Sequence, residues 1–134
     1  MSAASDLQVT MGRLVRRLRS ENAFPISQAI VLSRLNREGQ STTSSLAAAE
    51  LVRPQSMAQT IAELEANGLV ERRPDPFDRR QTLIEITEEG RETLARDRAR
   101  REGWLAAAIT NTLTREEQAI LEQAISLLSR IAES

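Results

Sequence analysis

The feature that most constrains this chain is the stretch from residue 43 to 87, TSSLAAAELVRPQSMAQTIAELEANGLVERRPDPFDRRQTLIEIT. Two short helical patterns, a glycine stop and a charged hairpin follow one another there with no spare residue. The first pattern opens at Thr43 or Ser44, either of which suits an N-cap, and its spacing turns Leu46, Ala47 and Leu51 inward. Val52 and Arg53 reverse the chain. Pro54 then suits the first position of a second helix, because its missing N–H is one that a helix start leaves unbonded anyway. Met57, Ile61 and Leu64 recur at spacings of four and three, which directs one stripe to a core and leaves Gln55, Ser56, Gln59 and Glu63 on or near the other side. Asn67-Gly68 stops this helix.

The exposed N-terminal face of the second helix carries chemistry suited to a nucleic acid. Gln pairs bidentately with adenine, Ser serves either base edge, and a helix N-terminus attracts phosphate. On these residues alone, a solvated face of an ordinary surface helix is the favoured description. The hairpin adds the discriminating information. Residues 69–73 (LVERR) read as a strand, Gln81–Thr87 (QTLIEIT) as its partner, and Pro74-Asp75-Pro76-Phe77-Asp78-Arg79-Arg80 as the loop between them. A charged tip directly behind such a helix is the layout of a winged helix-turn-helix, with the helix in the major groove and the tip beside the minor groove. Arginine suits a narrow minor groove, where the potential is most negative. Pairing of Arg79 and Arg80 with Asp75 and Asp78 at the surface is compatible with that role, since a carboxylate can orient a guanidinium.

These residues, in this order, resemble the MarR (multiple antibiotic resistance regulator) family of bacterial transcription factors. The resemblance covers Gln28 to Gly90. It is carried by Leu46-Ala47, by Pro54 before the second helix, by the run from Leu64 to Arg72 (LEANGLVER), by Asp78-Arg79-Arg80, and by Thr87-Glu88-Glu89-Gly90. The resemblance implies that Arg80 enters the minor groove with Asp78 holding it, and that Gln55, Ser56 and Gln59 meet bases or phosphates. It places Ser44, Pro54, Ala58, Thr60, Arg72, Arg73 and Arg79 in the same DNA-binding surface. The chain departs from the family at Ala58 and Gln59, where many members carry Thr and Arg, so the expected major-groove reading is weaker or differently tuned here.

Outside this stretch the pattern is helical. Residues 6–20 alternate Leu7, Met11, Leu14, Val15 and Leu18 with Arg13, Arg16, Arg17 and Arg19, which predicts an amphipathic helix broken at Ser20–Pro25. Ser27 is a candidate cap for a helix ending at Gly39, in which Ala29, Ile30, Val31, Leu32 and Leu35 are apolar almost all round and predict full burial. Thr87 caps a long helix over Glu88–Thr112, with Glu88 and Glu89 where the dipole favours acids. At ~1.5 Å per residue that helix is ~37 Å long, more than one compact core of this size covers. Gly103 is its candidate bend. Thr114-Arg115-Glu116-Glu117 is a capping box, and the helix after it carries Ile120, Leu121, Ala124, Ile125, Leu127, Leu128 and Ile131. So wide a stripe in so short a chain calls for a partner subunit. The expected architecture is mainly α with a small β-hairpin wing. Residues 1–25 form an N-terminal dimerisation helix, 26–87 a winged helix-turn-helix DNA-binding domain, and 88–134 C-terminal dimerisation helices.

Composition removes several classes of function. With 134 residues, no Cys and no His, disulfides, thiol redox sensing, the usual zinc sites and Ser-His-Asp or Cys-His catalysis lack their side chains. No enzyme, cofactor or metal is expected. The formal net charge of −1 gives no sign of a phosphate partner, although Arg72, Arg73, Arg79 and Arg80 cluster at the hairpin. Every basic side chain is Arg, which grips phosphate and guanine bidentately, but genomic base composition is the better explanation of so uniform a usage. No window approaches the ~20 apolar residues of a membrane span, and MSAASDLQ lacks a signal-peptide core, so a cytoplasmic protein is expected.

The expected partners are double-stranded operator DNA and a second copy of the chain. The resemblance adds a small aromatic or anionic effector, since many members answer to phenolic acids, lodged between the long helix and the reading domain. Candidate lining residues are Arg17, Phe24 and Trp104, and packing of Trp104 in a dimer core is the competing role. A winged domain that binds protein rather than DNA is the alternative from a different class, and it predicts no loss of DNA affinity when Arg80 is removed.

Overall fold

Pro54 and Gly68 set the limits of the element on which everything else is mounted. Pro54 occupies the first turn of a helix over Pro54–Ala66, and Gly68, at φ 75°, takes the left-handed turn that releases the chain into a strand. Built outward from it, the computed structural model describes residues 2–134. In chain order it contains α1 (Ala3–Arg19), α2 (Ile26–Glu38), β1 (Ser41–Thr42), α3 (Thr43–Glu50), α4 (Pro54–Ala66), β2 (Val70–Pro74), β3 (Thr82–Ile86), α5 (Glu88–Thr112) and α6 (Arg115–Ala132). The strands form one antiparallel sheet in the order β1-β3-β2, with Arg72 opposite Ile84 and Arg73 opposite Leu83.

The core sits between α2, α3, α4 and the sheet. Val31, Leu32 and Leu35 from α2, Leu46 and Ala47 from α3, and Met57, Ile61 and Leu64 from α4 are buried with Leu69, Val70, Ile84 and Ile86. A fully buried Leu, Ile or Val of this kind contributes roughly 1.5–3 kcal/mol. Among the described residues, every fully buried apolar side chain lies between Val31 and Ile86.

The base of the hairpin is fastened by a small set of bonds around Thr87. Its hydroxyl donates to the Gly68 carbonyl at 2.7 Å and accepts from the Gly90 N–H at 3.0 Å, while its N–H donates to the Leu69 carbonyl at 3.0 Å. Gly90 is required there for space, because a Cβ at that position would lie 2.3 Å from the Leu69 carbonyl oxygen. The hairpin and the start of α5 thus move as one piece.

Several sequence expectations change in the folded chain. The N-cap of α3 is Thr42, whose side chain accepts from the Ser45 N–H, one residue ahead of the two candidates Thr43 and Ser44. Leu51 is 92% exposed, because it terminates α3 in the left-handed region at φ 55° and the reversal carries its side chain outward. A third strand, β1, joins the hairpin through Ser41–Ile84 and Thr42–Leu83. The start of α2 has Pro25 at the cap position and no side-chain cap bond from Ser27. Ile30 remains 41% exposed, so α2 is buried on one side only. In α1, which begins at Ala3 rather than residue 6, no residue is fully buried, and Met11, Leu14 and Val15 are exposed. α5 runs through Gly103 without interruption, and the capping box of Thr114 and Glu117 forms as expected.

The middle of α5 holds an anchor that hydropathy does not reveal. Asp97 is 2% exposed and accepts the Ala23 N–H at 3.1 and 3.3 Å and Arg100 Nη1 at 2.7 Å. Arg101 donates to Asn22 Oδ1 at 2.6 Å beside it. These bonds fix the α1–α2 connection against the long helix.

Candidate nucleic-acid interface

α4 presents its polar side to solvent at the end where a helix attracts anions. Side chains cap α1, α3, α5 and α6 through Ser2, Thr42, Thr87 and Thr114, whereas no side chain caps α2 or α4; of these two, α4 carries the exposed polar face. Its first-turn N–H groups are therefore available to an external acceptor, with the positive end of the helix dipole behind them. Pro54, Gln55, Ser56, Ala58 and Gln59 are exposed and Thr60 is half-buried. Thr60 Oγ1 is committed to the Ser56 carbonyl at 3.1 Å. Gln59 Nε2 lies 3.4 Å from Glu63, whose other carboxylate oxygen accepts from the buried Gln28 at 2.9 Å. Gln55 and Ser56 have no side-chain hydrogen bond among the described residues, which leaves their donors and acceptors free. Ser44, on the preceding helix, is exposed as well.

The hairpin supplies positive charge in two tiers. On the strand, Arg72 Nε pairs with Glu65 at 3.0 Å, and Arg73 Nη2 lies 2.9 Å from Glu85. The buried Glu85 Oε2 has no well-aligned hydrogen bond, so the second contact is chiefly one of charge. At the tip, Asp78 Oδ1 accepts from the Arg80 N–H at 3.1 Å and lies 3.3 Å from Arg80 Nε. The Arg80 side chain is nevertheless 92% exposed. A carboxylate thus orients the guanidinium while its outer edge remains open, as the sequence suggested. Arg79 is exposed and forms no ion pair among the described residues. Asp75 is occupied with the Phe77 N–H at 2.8 Å rather than with an arginine.

Arg53 belongs to the same surface and was absent from the sequence-derived set. It is the exposed N-cap residue of α4, without an ion pair among the described residues, at the point where the helix dipole is most positive. The available signal was an Arg immediately before the proline that opens the helix.

A helix with a free polar first turn, a two-residue reversal before it and an arginine-tipped hairpin behind it decide the comparison with known proteins. The MarR family model matches residues 24–82. An HTH-type transcriptional regulator of Mycobacterium bovis is 41% identical over 128 residues, covering 93% of this chain and 89% of the relative. The chain belongs to the MarR family. It is a helix-turn-helix DNA-binding transcriptional regulator, and its relatives are bacterial regulators rather than enzymes. A crystal structure described as a transcriptional regulator of Pseudomonas aeruginosa superposes with a TM-score of 0.82 at 40% identity, covering 98% of this chain and 94% of that one. Wild-type MarR of Escherichia coli, in its apo form, shares the fold with a TM-score of 0.74 at 21% identity, with 96% of each chain covered. Members of the MarR family bind DNA and act as dimers.

The residues suggested for an effector are divided by the fold. The Arg17 guanidinium lies 4.3 Å from the Trp104 ring centroid, which joins α1 to α5 by a cation–π contact. Phe24 packs against the reading-domain core instead. None of the three lines the cleft of about 480 Å³ between α1, α2 and α5, which is walled by Val15, Leu18, Ile26 and Ile30 and by Arg19, Arg37 and Arg101. Arg34 also borders it but is bonded to Glu50 at 2.6 Å and Glu38 at 3.0 Å. The hydrogen bond that it donates to Glu50, then that to Glu38, raises its pKa above the ordinary arginine value. No helix among the described residues is long and apolar enough to cross a membrane.

Proposed function

We propose that two copies of this chain pair through residues 1–25 and 88–134 and that the dimer represses transcription from a two-fold-related operator. The observation that carries the reading is the uncapped first turn of α4 followed, in the same rigid unit, by the exposed Arg80 held by Asp78. Gln55, Ser56, Ala58 and Gln59 face base edges in the major groove, with Ser44, Pro54 and Thr60 at its margin. Arg72, Arg73 and Arg79 contact phosphates, and Arg80 enters the minor groove. Exposed apolar side chains on α1 and α6, among them Val9, Leu14, Ile120, Ile125 and Ile131, support pairing, since burial against a second copy removes them from water.

Release follows from geometry. Two reading helices enter successive major grooves only when they stand about 34 Å apart, one turn of B-DNA. A small anionic or aromatic ligand wedged between α1, α2 and α5 changes the angle between the paired helices and the reading domains. The cleft volume is within the range of small-molecule sites, about 300–1,000 Å³, and its mix of aliphatic walls and three arginines fits a carboxylate on an apolar body. Emptying an occupied operator requires a differential affinity of several kcal/mol between the two states.

Selection of bound fragments from a random duplex pool tests the reading. The expected product is an imperfect palindrome with half-sites one helical turn apart, from which phenolic acids release the protein. Recovery of a single asymmetric site bound by one subunit would overturn it.

A further inference from the structure

The chain has two Phe and one Trp, and one of the three is placed where packing gives it no reason to be. Phe24 and Trp104 are both partly buried, whereas Phe77 is 97% exposed at the tip of the hairpin between β2 and β3. Its backbone is firmly held. The Phe77 N–H donates to Asp75 Oδ1 at 2.8 Å, the Asp75 N–H to the Gln81 carbonyl at 3.1 Å, and the Gln81 N–H to the Asp78 carbonyl at 3.0 Å. Pro74 and Pro76 fix φ at two of the three positions that precede Phe77. The tip therefore presents a bare aromatic ring on an ordered support, three residues from the guanidinium of Arg80, which is 92% exposed.

We propose that Phe77 is an apolar minor-groove contact, packing on the deoxyribose edges beside the base steps that Arg80 approaches. The chemistry is complementary. The walls of the minor groove present apolar sugar C–H surface, and apolar side chains, Phe among them, that enter the groove and press on its base steps are a recurring device of minor-groove proteins. Arginines at 79 and 80 draw the same tip to the duplex, which favours DNA over a protein surface as the occupant. Water released from the ring and from the sugars adds affinity without neutralising phosphate, so it leaves the salt dependence unchanged. The inference rests on the reading of the hairpin as a minor-groove element and adds to it a contact independent of charge.

The test compares full-length wild type with Phe77→Ala, Phe77→Leu and Arg80→Ala on the selected operator, by titration at several salt concentrations and by hydroxyl-radical footprinting, which attacks deoxyribose from the minor groove. Phe77→Ala is expected to weaken binding about tenfold, about 1.4 kcal/mol, with an unchanged slope of log affinity against log salt. It is also expected to restore cleavage at the outer sugars of each half-site. Phe77→Leu retains most of the affinity, and Arg80→Ala lowers the slope by about one. Because the ring touches no core residue, all variants are expected to melt with wild type, and a Phe77→Ala protein that melts earlier would overturn the assignment by showing a structural role. Wild-type affinity and footprint in Phe77→Ala would overturn it as well, and would leave the ring to a protein partner. If wild type itself protects no duplex, the failure lies with the DNA-binding reading.

Discussion

The reading domain and the terminal helices of this chain are built from similar helical patterns, yet they stand in opposite relation to water. Between Val31 and Ile86, a helical stripe and an alternating strand close on one another, and their apolar residues fall to a few per cent exposure. In α1 and α6 the stripes are as regular, but no residue is fully buried, with Val9 at 58% and Ile120 at 63%. One region is complete within a single chain. The other leaves the apolar stripes of two helices, α1 and α6, largely in contact with water.

That contrast can be broken experimentally, most severely in the core. Leu32→Ala is expected to cost about 2–5 kcal/mol of unfolding free energy, because a fully buried side chain leaves a cavity that α2, α4 and the sheet cannot collapse around. Urea titration measures it, and a loss below 1 kcal/mol would mean that the reading domain is not the tightly packed unit described. The double variant Ile125→Glu with Leu128→Glu should behave differently. Sedimentation is expected to show half the wild-type mass, and operator affinity to fall more than a hundredfold, about 2.7 kcal/mol, with the reading domain still folded. Unfolding of the whole chain would show that α6 belongs to the same core after all.

Two smaller effects sharpen the boundary between the regions. Asp97→Ala strands the Ala23 N–H and is expected to cost about 1–3 kcal/mol. Asp97→Asn keeps an acceptor and should cost less. Hydrogen exchange at Ala23 is the direct readout, and unchanged protection in Asp97→Ala would refute the anchor. Arg80→Ala removes a side chain whose outer edge touches only solvent, so thermal stability should not move while DNA affinity drops by about 1–3 kcal/mol. Equal DNA affinity in that variant would favour a protein-binding wing.

Much of the reading domain was legible before folding because its signals are local. Pro54 acts through its own fixed φ and missing N–H, and Asn67-Gly68 through bonds to residues three or four positions back; outside that domain the capping box at Thr114 works over the same short range, and each appears where the spacing put it. Leu51 failed that logic. Its spacing from Ala47 is helical, but a single left-handed residue at φ 55° rotates it out of the helical frame, and no periodic pattern encodes such a reversal. β1 escaped for a related reason, since two residues carry no alternation and Ser41–Thr42 becomes a strand only by finding β3 across the sheet. In the candidate interface, spacing left open which aspartate pairs with which arginine, and the family resemblance, rather than the spacing, implied that Asp78 holds Arg80, the contact that the fold forms. The pairing of Arg72 with Glu65 joins a strand to a helix and was not legible.

By itself, the sequence determined the order of elements, their stops and caps, the stripe that α4 turns inward and the arginines behind it, because capping, proline geometry and helical periodicity operate within one or two turns. Tertiary structure alone decided that Asp97 is buried, that Gly90 must lack a side chain where α5 crosses Leu69, and that Phe77 stands bare at the hairpin tip. Those facts depend on which surfaces meet across dozens of residues, and burial is a property of the meeting rather than of the side chain.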